Sequence, residues 1–158
     1  MIIAGKERTA QREFRVVNPF SDEIVGSVPA AEKGDIDAAV KSCLAFTENL
    51  SADDKKQILR NHAVDLSNRK EELAALITKE SGLCLKDTMH EVARSIAVAE
   101  NGIELLNALP DNQEVCLEFE GGLLKIIREP FDMILGITPF NHPLNQVCHK
   151  VVPAILAG

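Results

Sequence analysis

A nearly unbroken apolar run, Phe131-Asp132-Met133-Ile134-Leu135-Gly136-Ile137-Thr138, is followed across Pro139-Phe140-Asn141-His142-Pro143 by a second apolar stretch from Leu144 to Leu156. The first run lacks polar alternation, which suits a parallel strand covered on both faces, and the second reads as a helix. A strand feeding a helix is the first half of a βα crossover, and ligands on such sheets bind beyond the carboxyl ends of the strands. Chemistry is therefore expected at Pro139, Phe140 and Asn141. The sequence stops at Gly158, before a second strand could pair with the first. The expectation is the opening portion of a larger α/β protein, with the end at Gly158 a truncation.

Charge and composition narrow the partners. A formal net charge of −7, with no clustered Lys/Arg stripe, repels nucleic-acid phosphates and acidic membranes. No apolar run approaches the roughly 20 residues that cross a bilayer, and the amino terminus lacks a signal-like pattern, so no membrane partner is expected and the cytosol is the default location. Cys43, Cys84, Cys116 and Cys148 are scattered without a C-x-x-C pair. They suggest neither a metal site nor a redox motif, and each is expected as a reduced, small apolar residue.

Two short β-like runs, Glu13 to Val17 and Glu23 to Val28, flank Asn18-Pro19-Phe20-Ser21-Asp22, a turn-favouring junction that predicts an antiparallel pair ended by Pro29. Four helices are expected next. Asp35 is the expected N-cap of the first, which carries Ile36, Ala39, Val40, Cys43 and Leu44 on one stripe. Ser51-Ala52-Asp53-Asp54 offers a capping-box-like start for the second, whose apolar positions Ile58, Leu59, Ala63 and Leu66 repeat every three or four residues. Asn68 is the expected cap of the third, Arg69 to Glu80, with Leu73, Leu76 and Ile77 inward and Gly82 as its stop. The fourth runs from about Lys86 to Ala108 through Met89, Val92, Ala93, Ile96, Ile103 and Leu106, and Pro110 closes the block. Ala93, Ala97 and Ala99 would let it lie close to a neighbour.

The run Glu114 to Glu120 alternates with a two-residue period, and Gly121-Gly122 favours a hairpin turn. A two-residue turn there predicts Phe119 opposite Leu124, Leu117 opposite Ile126 and Glu118 opposite Lys125, with the apolar pairs on one side. Such a ribbon is marginal alone and needs another sheet or subunit.

Several of these segments together resemble the amino-terminal portion of the NAD(P)-dependent aldehyde dehydrogenase superfamily. Asn18-Pro19-Phe20 ahead of Ile24-Val25-Gly26 is similar to its opening hairpin. Asn68-Arg69-Lys70-Glu71-Glu72-Leu73-Ala74, Glu80-Ser81-Gly82 and Glu91-Val92-Ala93-Arg94 are similar to its helical segments. Arg128-Glu129-Pro130, Gly136 to Leu144 and Pro153 to Gly158 match the start of its cofactor domain. The resemblance covers essentially this whole chain but only about the first third of a typical member.

The resemblance implies an α/β fold: an N-terminal hairpin and the helical part of the cofactor-binding domain (residues 1–112), an oligomerisation hairpin (113–130) and the first βα unit of a Rossmann-like parallel sheet, the start of the NAD(P)-binding core (131–158). It implies that Ile137, Thr138, Pro139 and Phe140 line the nicotinamide end of an NAD or NADP site. It also implies that Asn141 is the amide donor that stabilises the oxyanion when a cysteine thiolate adds to an aldehyde. The family's nucleophilic cysteine, glutamate base, ribose-binding lysine and pyrophosphate loop match nothing here, so these 158 residues alone are expected to be inactive. The expected partners are a small-molecule aldehyde and further copies of the chain through the 114–128 hairpin. The variation Asn-His-Pro-Leu-Asn-Gln is similar to that of members acting on small polar or phosphonate-bearing aldehydes such as phosphonoacetaldehyde.

Each residue also has a plainer reading. Asn141 alone is more often a helix N-cap beside a Pro-containing first turn, and Phe140 alone more often core; the motif around them reverses both preferences. His142 and His149 lack companions at metal-ligand spacing, so His142 is expected to shape the substrate side of the turn and His149 to be a helix residue with a hydrogen-bond partner. Glu80, Glu91 and Arg94 read as a solvated face or an internal ion pair. A non-catalytic oligomerisation or interaction module derived from the same fold remains the alternative. Against it stand the apolar residues Val147, Val151, Val152, Ile155 and Leu156 beside an apolar strand, two surfaces without an obvious partner.

Overall fold

The computed structural model describes residues 1–47, 49–108, 115–126 and 131–158. The expected stop at Pro110, the hairpin's start at Glu114, Arg128-Glu129-Pro130 and the boundaries near 112 and 130 fall outside those residues.

A small hairpin that no periodicity announced comes first, β1 (Ile2–Ile3) against β2 (Lys6–Glu7). The expected second pair forms as β3 (Glu13–Val17) against β4 (Ile24–Pro29), antiparallel, with an irregularity between Val16 and Val17. Its loop is organised by Asn18, whose Oδ1 accepts from Phe20 N at 2.9 Å and Ser21 N at 3.1 Å. This is the local side-chain turn that Asn offers its own backbone.

Helix α1 (Lys33–Leu44) begins one turn earlier than expected: Glu32 is the N-cap, and Asp35, at the third helical position, completes a reciprocal capping box. The apolar stripe is present, but no residue of α1 is buried. Helix α2 (Ala52–Asn68) starts at Ser51 as expected, with Ser51 Oγ accepting from Asp54 N at 3.1 Å and Asp54 Oδ2 accepting from Ser51 N at 3.0 Å. Asn68 does not cap the next helix, because α2 continues through it. Arg69 alone separates α2 from α3 (Lys70–Ser81), and it pairs with Glu72 at 2.6 and 2.9 Å. Gly82, left-handed at φ 74°, ends α3 as expected.

Helix α4 (Leu85–Ala108) buries Thr88, Glu91, Val92, Ser95, Ala99 and Gly102. All but Val92 repeat every three or four residues and form one seam, but four of these five are polar or glycine, and a search for apolar periodicity passes over them. Against this seam pack α2 and α5 (Pro143–Ala157), which buries Asn145, Cys148 and Val152. Gly102 sets the spacing: a Cβ there would lie 3.0 Å from Val152 Cγ1 and 3.1 Å from Leu59 Cδ1. Close approach depends on this glycine as well as on the alanines. On the other side of α4, Ala74 and Ile77 of α3 join Val92 in a second cluster flanked by Leu73, Met89, Ile96 and Leu144.

The hairpin β5 (Val115–Phe119) and β6 (Gly122–Ile126) turns one residue earlier than expected. Its loop is Glu120-Gly121, so Leu117 faces Leu124, Glu118 faces Leu123 and Phe119 faces Gly122. Gly121 takes φ +99°, the conformation such a turn demands, and the Phe119 ring packs over Gly122, within 3.0 Å of where a Cβ would stand. The slip changes the pairs by an even number of positions, so Leu117, Phe119, Leu124 and Ile126 still share a side. All four are exposed.

Residues 131–138 do not form the expected strand. They run irregularly beside α5, with Gly136 against Lys150, and the described sheets are three antiparallel pairs with no strand next to this segment. Backbone N–H and C=O groups form a ladder only against a neighbour. The described architecture is mixed helix and strand. No described helix is long and apolar enough to cross a membrane.

Candidate functional site

The expected site residues are continuous along the path into α5. Ile137, Thr138, Pro139, Phe140 and Asn141 are all exposed, Ile137 at 78% and Phe140 at 90%. Asn141 is not the N-cap that its plainer reading suggested: the cap position belongs to His142, whose side chain makes no capping bond, and Pro143 opens the helix. The Asn141 amide is thus left at the surface, one residue before a fixed helix start.

What fixes that start comes from α4. Glu91 has a side chain only 1% exposed, and its Oε1 accepts from Leu144 N at 3.0 Å and Asn145 N at 3.1 Å. Its Oε2 lies 3.3 Å from His142 Nδ1. The donors of the first turn can be counted in full: Pro143 has none, Leu144 and Asn145 bond to Glu91, and Gln146 N reaches His142 O at 3.0 Å. A carboxylate at this end also meets the positive pole of the helix. At the other end, Lys55 Nζ donates to Leu156 O at 3.1 Å. Side chains from α4 and α2 therefore hold α5 at both ends with the charges its dipole favours.

Glu91 is the residue that reading the sequence undervalued, as an ordinary polar position on an amphipathic helix. Its signal was its place among Thr88, Ser95 and Ala99, small residues on one helical face where a neighbouring backbone comes near. Glu80 and Arg94 are exposed, as a solvated face requires. Half-buried His142 meets Glu91 rather than any metal-ligand set, and among the described residues no group of three or more His, Cys, Asp or Glu could hold a metal ion.

Cys148 lies inside the seam, with its Sγ 3.5 Å from His62 Nε2. Burial pushes its thiol pKa up, a hydrogen bond with Ser95 and one from its own backbone oppose the shift, and the Glu91 charge adds to it. That environment holds the sulfur protonated and is the opposite of what a nucleophile needs. A separate cleft of about 430 Å³ opens between the end of α1, the start of α2, residues 131–136 and the outer face of α5, with Phe46, Leu50, Phe131, Met133, Ile134 and Ile155 in its wall.

The model of the aldehyde dehydrogenase family matches residues 6–158. The chain is 34% identical to a lactaldehyde dehydrogenase of Methanococcus aeolicus over 161 aligned residues, covering 100% of this chain and 34% of that protein. It is 32% identical to an aminoaldehyde dehydrogenase of Solanum lycopersicum, again over 100% of this chain and 33% of the relative. Among solved structures, aldehyde dehydrogenase 21 from Physcomitrella patens, in complex with its product succinate, superposes with a TM-score of 0.85 at 27% identity, over 99% of this chain and 34% of that one. The NADP complex of a glyceraldehyde-3-phosphate dehydrogenase from Methanocaldococcus jannaschii gives a TM-score of 0.76 at 29% identity, over 94% of this chain and 33% of that one. The chain spans about a third of the length of the relatives it matches. With the family model matching nearly every residue, this chain belongs to the aldehyde dehydrogenase family.

Proposed function

We propose that these residues form the amino-terminal third of an NAD(P)-dependent aldehyde dehydrogenase that oxidises a small polar aldehyde to a carboxylic acid or acyl derivative. The carrying observation is the exposed segment Ile137 to Asn141, set immediately before a helix whose first turn is held by a buried carboxylate. In this reading residues 131–138 become the first parallel strand of a Rossmann-like sheet once a neighbouring strand lies beside them. The earlier residues form the helical part of the cofactor domain, and the β5–β6 ribbon, with Leu117, Phe119, Leu124 and Ile126 exposed, adds to another subunit.

The residues present suit the nicotinamide end of NAD or NADP. Ile137 and Phe140 offer an open apolar and aromatic wall, and Pro139 restricts the backbone between them. The α5 N-terminus, a position that could otherwise attract a phosphate, already carries the Glu91 carboxylate. A pyrophosphate would be repelled there, whereas the uncharged or cationic ring would not. The bound nicotinamide would supply the hydride acceptor.

Asn141 supplies the electrostatic part. As a thiolate adds to the aldehyde carbon, the carbonyl oxygen gains a full negative charge, and the Asn141 side-chain N–H donates to it. A neutral amide fits this role because it strengthens its bond as charge develops without forming an ion pair in the ground state. The thiolate comes from outside these residues: none of Cys43, Cys84, Cys116 and Cys148 matches the family's nucleophile motif, and Cys148 is in addition buried with its thiol pKa raised. Relatives named for lactaldehyde and 3-sulfolactaldehyde support a short, polar substrate, the class to which phosphonoacetaldehyde also belongs. The acidic net charge fits a cytosolic enzyme without nucleic-acid or membrane partners.

Asn141→Ala, made in the complete protein that carries these residues, tests the reading. The expected result is a fall in kcat of about a hundred- to a thousandfold, with cofactor affinity retained by titration. Turnover at the parent rate would sink it.

A further inference from the structure

We infer that Glu91 is a positioning residue for the oxyanion donor: by holding the first turn of α5 from inside the protein, it fixes where Asn141 presents its amide. The inference rests on the reading of Asn141 given above. Three observations carry it. Glu91 Oε1 accepts from both the Leu144 and the Asn145 amides, at 3.0 and 3.1 Å. Its second oxygen reaches His142, the residue next to Asn141, at 3.3 Å. Its own backbone is locked in the α4 seam, where Ser95 Oγ donates to Glu91 O at 3.0 Å.

An ordinary cap would be local to the turn and would move with it. Here the acceptor lies more than fifty residues away in the chain, on the long helix at the centre of the packed block. The site turn is thereby referenced to the most buried part of the described structure rather than to the exposed loop before it. Burying a carboxylate is costly unless it is hydrogen-bonded, and Glu91 meets that condition only when α5 begins at Pro143 and His142 turns inward. The same bonds that satisfy Glu91 therefore select one position for residues 142–145. Asn141, attached directly to His142, inherits it. Displacement of a reacting group by about 1 Å can cost about a hundredfold in rate, so a rigid reference matters.

Glu91→Ala, Glu91→Gln and Asn141→Ala, compared in the complete enzyme, test this. Glu91→Ala is expected to lower kcat about ten- to a hundredfold at saturating aldehyde and cofactor, with much smaller changes in KM. It should also speed amide hydrogen exchange at Leu144 and Asn145. Glu91→Gln, which keeps an acceptor oxygen, should recover part of both losses. A purely structural role would instead lower the melting temperature and leave the kcat of the folded fraction unchanged. If alanine prevents folding, Glu91→Asp keeps the charge but withdraws it by one methylene, and the same fall in kcat and faster exchange are expected. Parent-like kcat in the folded Glu91 variants, beside a crippled Asn141→Ala, overturns the positioning role and leaves the function standing. Parent-like turnover in Asn141→Ala removes the function instead. Exchange at Leu144 and Asn145 then decides for Glu91 alone, and unchanged exchange overturns its hold on the turn.

Discussion

The seam where α4 meets α2 and α5 and the segment from Phe131 to Thr138 are two apolar-looking regions with opposite fates. In the seam, Leu59, Ala99, Cys148 and Val152 are buried, whereas Phe131 and Leu135 are each 80% exposed although the second region is the more continuously apolar in sequence. Backbone chemistry accounts for the difference. A helix satisfies its own N–H and C=O groups and needs only a facing stripe, so α2, α4 and α5 pack as soon as they meet. A strand must find a ladder partner before its side chains can be enclosed. Hydrophobicity states that a segment is to be covered; the kind of backbone decides how much of the protein must be present to cover it.

The sharpest way to break this comparison is to truncate one side chain in the seam. Leu59 is 1% exposed and lies against the backbone of Gly102, leaving little room for neighbours to collapse. Leu59→Ala should cost about 2–5 kcal/mol of stability, the range for a buried leucine replaced by a cavity. Urea denaturation followed by circular dichroism would show the midpoint fall. A loss below about 1 kcal/mol would mean that the seam is loosely packed and that the contrast with the exposed segment is overstated.

Much of the helical block was legible because its local signals agree with its packing. Ser51 with Asp54, Gly82, and the spacing of Leu59, Ala63 and Leu66 act where the sequence says they do, whereas Leu76, expected to face inward, is exposed and Ala74 takes the buried place on α3. Other features were decided by partners far along the chain. Thr88, Glu91 and Ser95 are buried because α2 and α5 come close, and no helical period in apolar residues can announce a polar seam. The α1 cap stands at Glu32 rather than Asp35, because Asp35 Oδ2 accepts from Glu32 N at 3.0 Å and so serves the first turn from its third position. The hairpin register slipped because two adjacent glycines permit two turns, and the Phe119 ring prefers to cover one of them. At the candidate site, the order of residues from Ile137 to Asn141 was readable, but the carboxylate that holds the turn was not. Its acceptor role exists only after two helices distant in sequence have met.

A smaller effect sharpens the local side of the comparison. Ser51 caps α2 at an exposed position, so Ser51→Ala should cost about 1 kcal/mol, well below the buried leucine. Its signature is pH dependence. Hydrogen bonds from the Ser51 side chain, then from its backbone, hold the Asp54 carboxyl below its usual pKa. A carboxylate depressed in the folded state contributes stability above its unfolded pKa, and that contribution is lost as pH falls through the folded value. Removing the hydroxyl should shrink the difference between the neutral and acid midpoints. An unchanged acid limb in Ser51→Ala would mean that the capping box does not form in solution.

The smallest expected effect is the most direct probe of the exposed side. Leu135 projects from the irregular segment at 80% exposure, and substitution at such a position usually changes stability by no more than about 0.5 kcal/mol. Leu135→Ser should therefore leave the urea midpoint of the chain in place while reducing binding of a hydrophobic dye, since it removes apolar surface that water already touches. On the proposed reading, in which residues 131–138 become a strand enclosed on both faces of a longer enzyme, the same substitution there should be costly, because it would bury the new hydroxyl without a ready partner. A loss of stability in both contexts would show that residues 131–138 are already enclosed within these 158 residues, and the division between self-sufficient helices and dependent strand would fail.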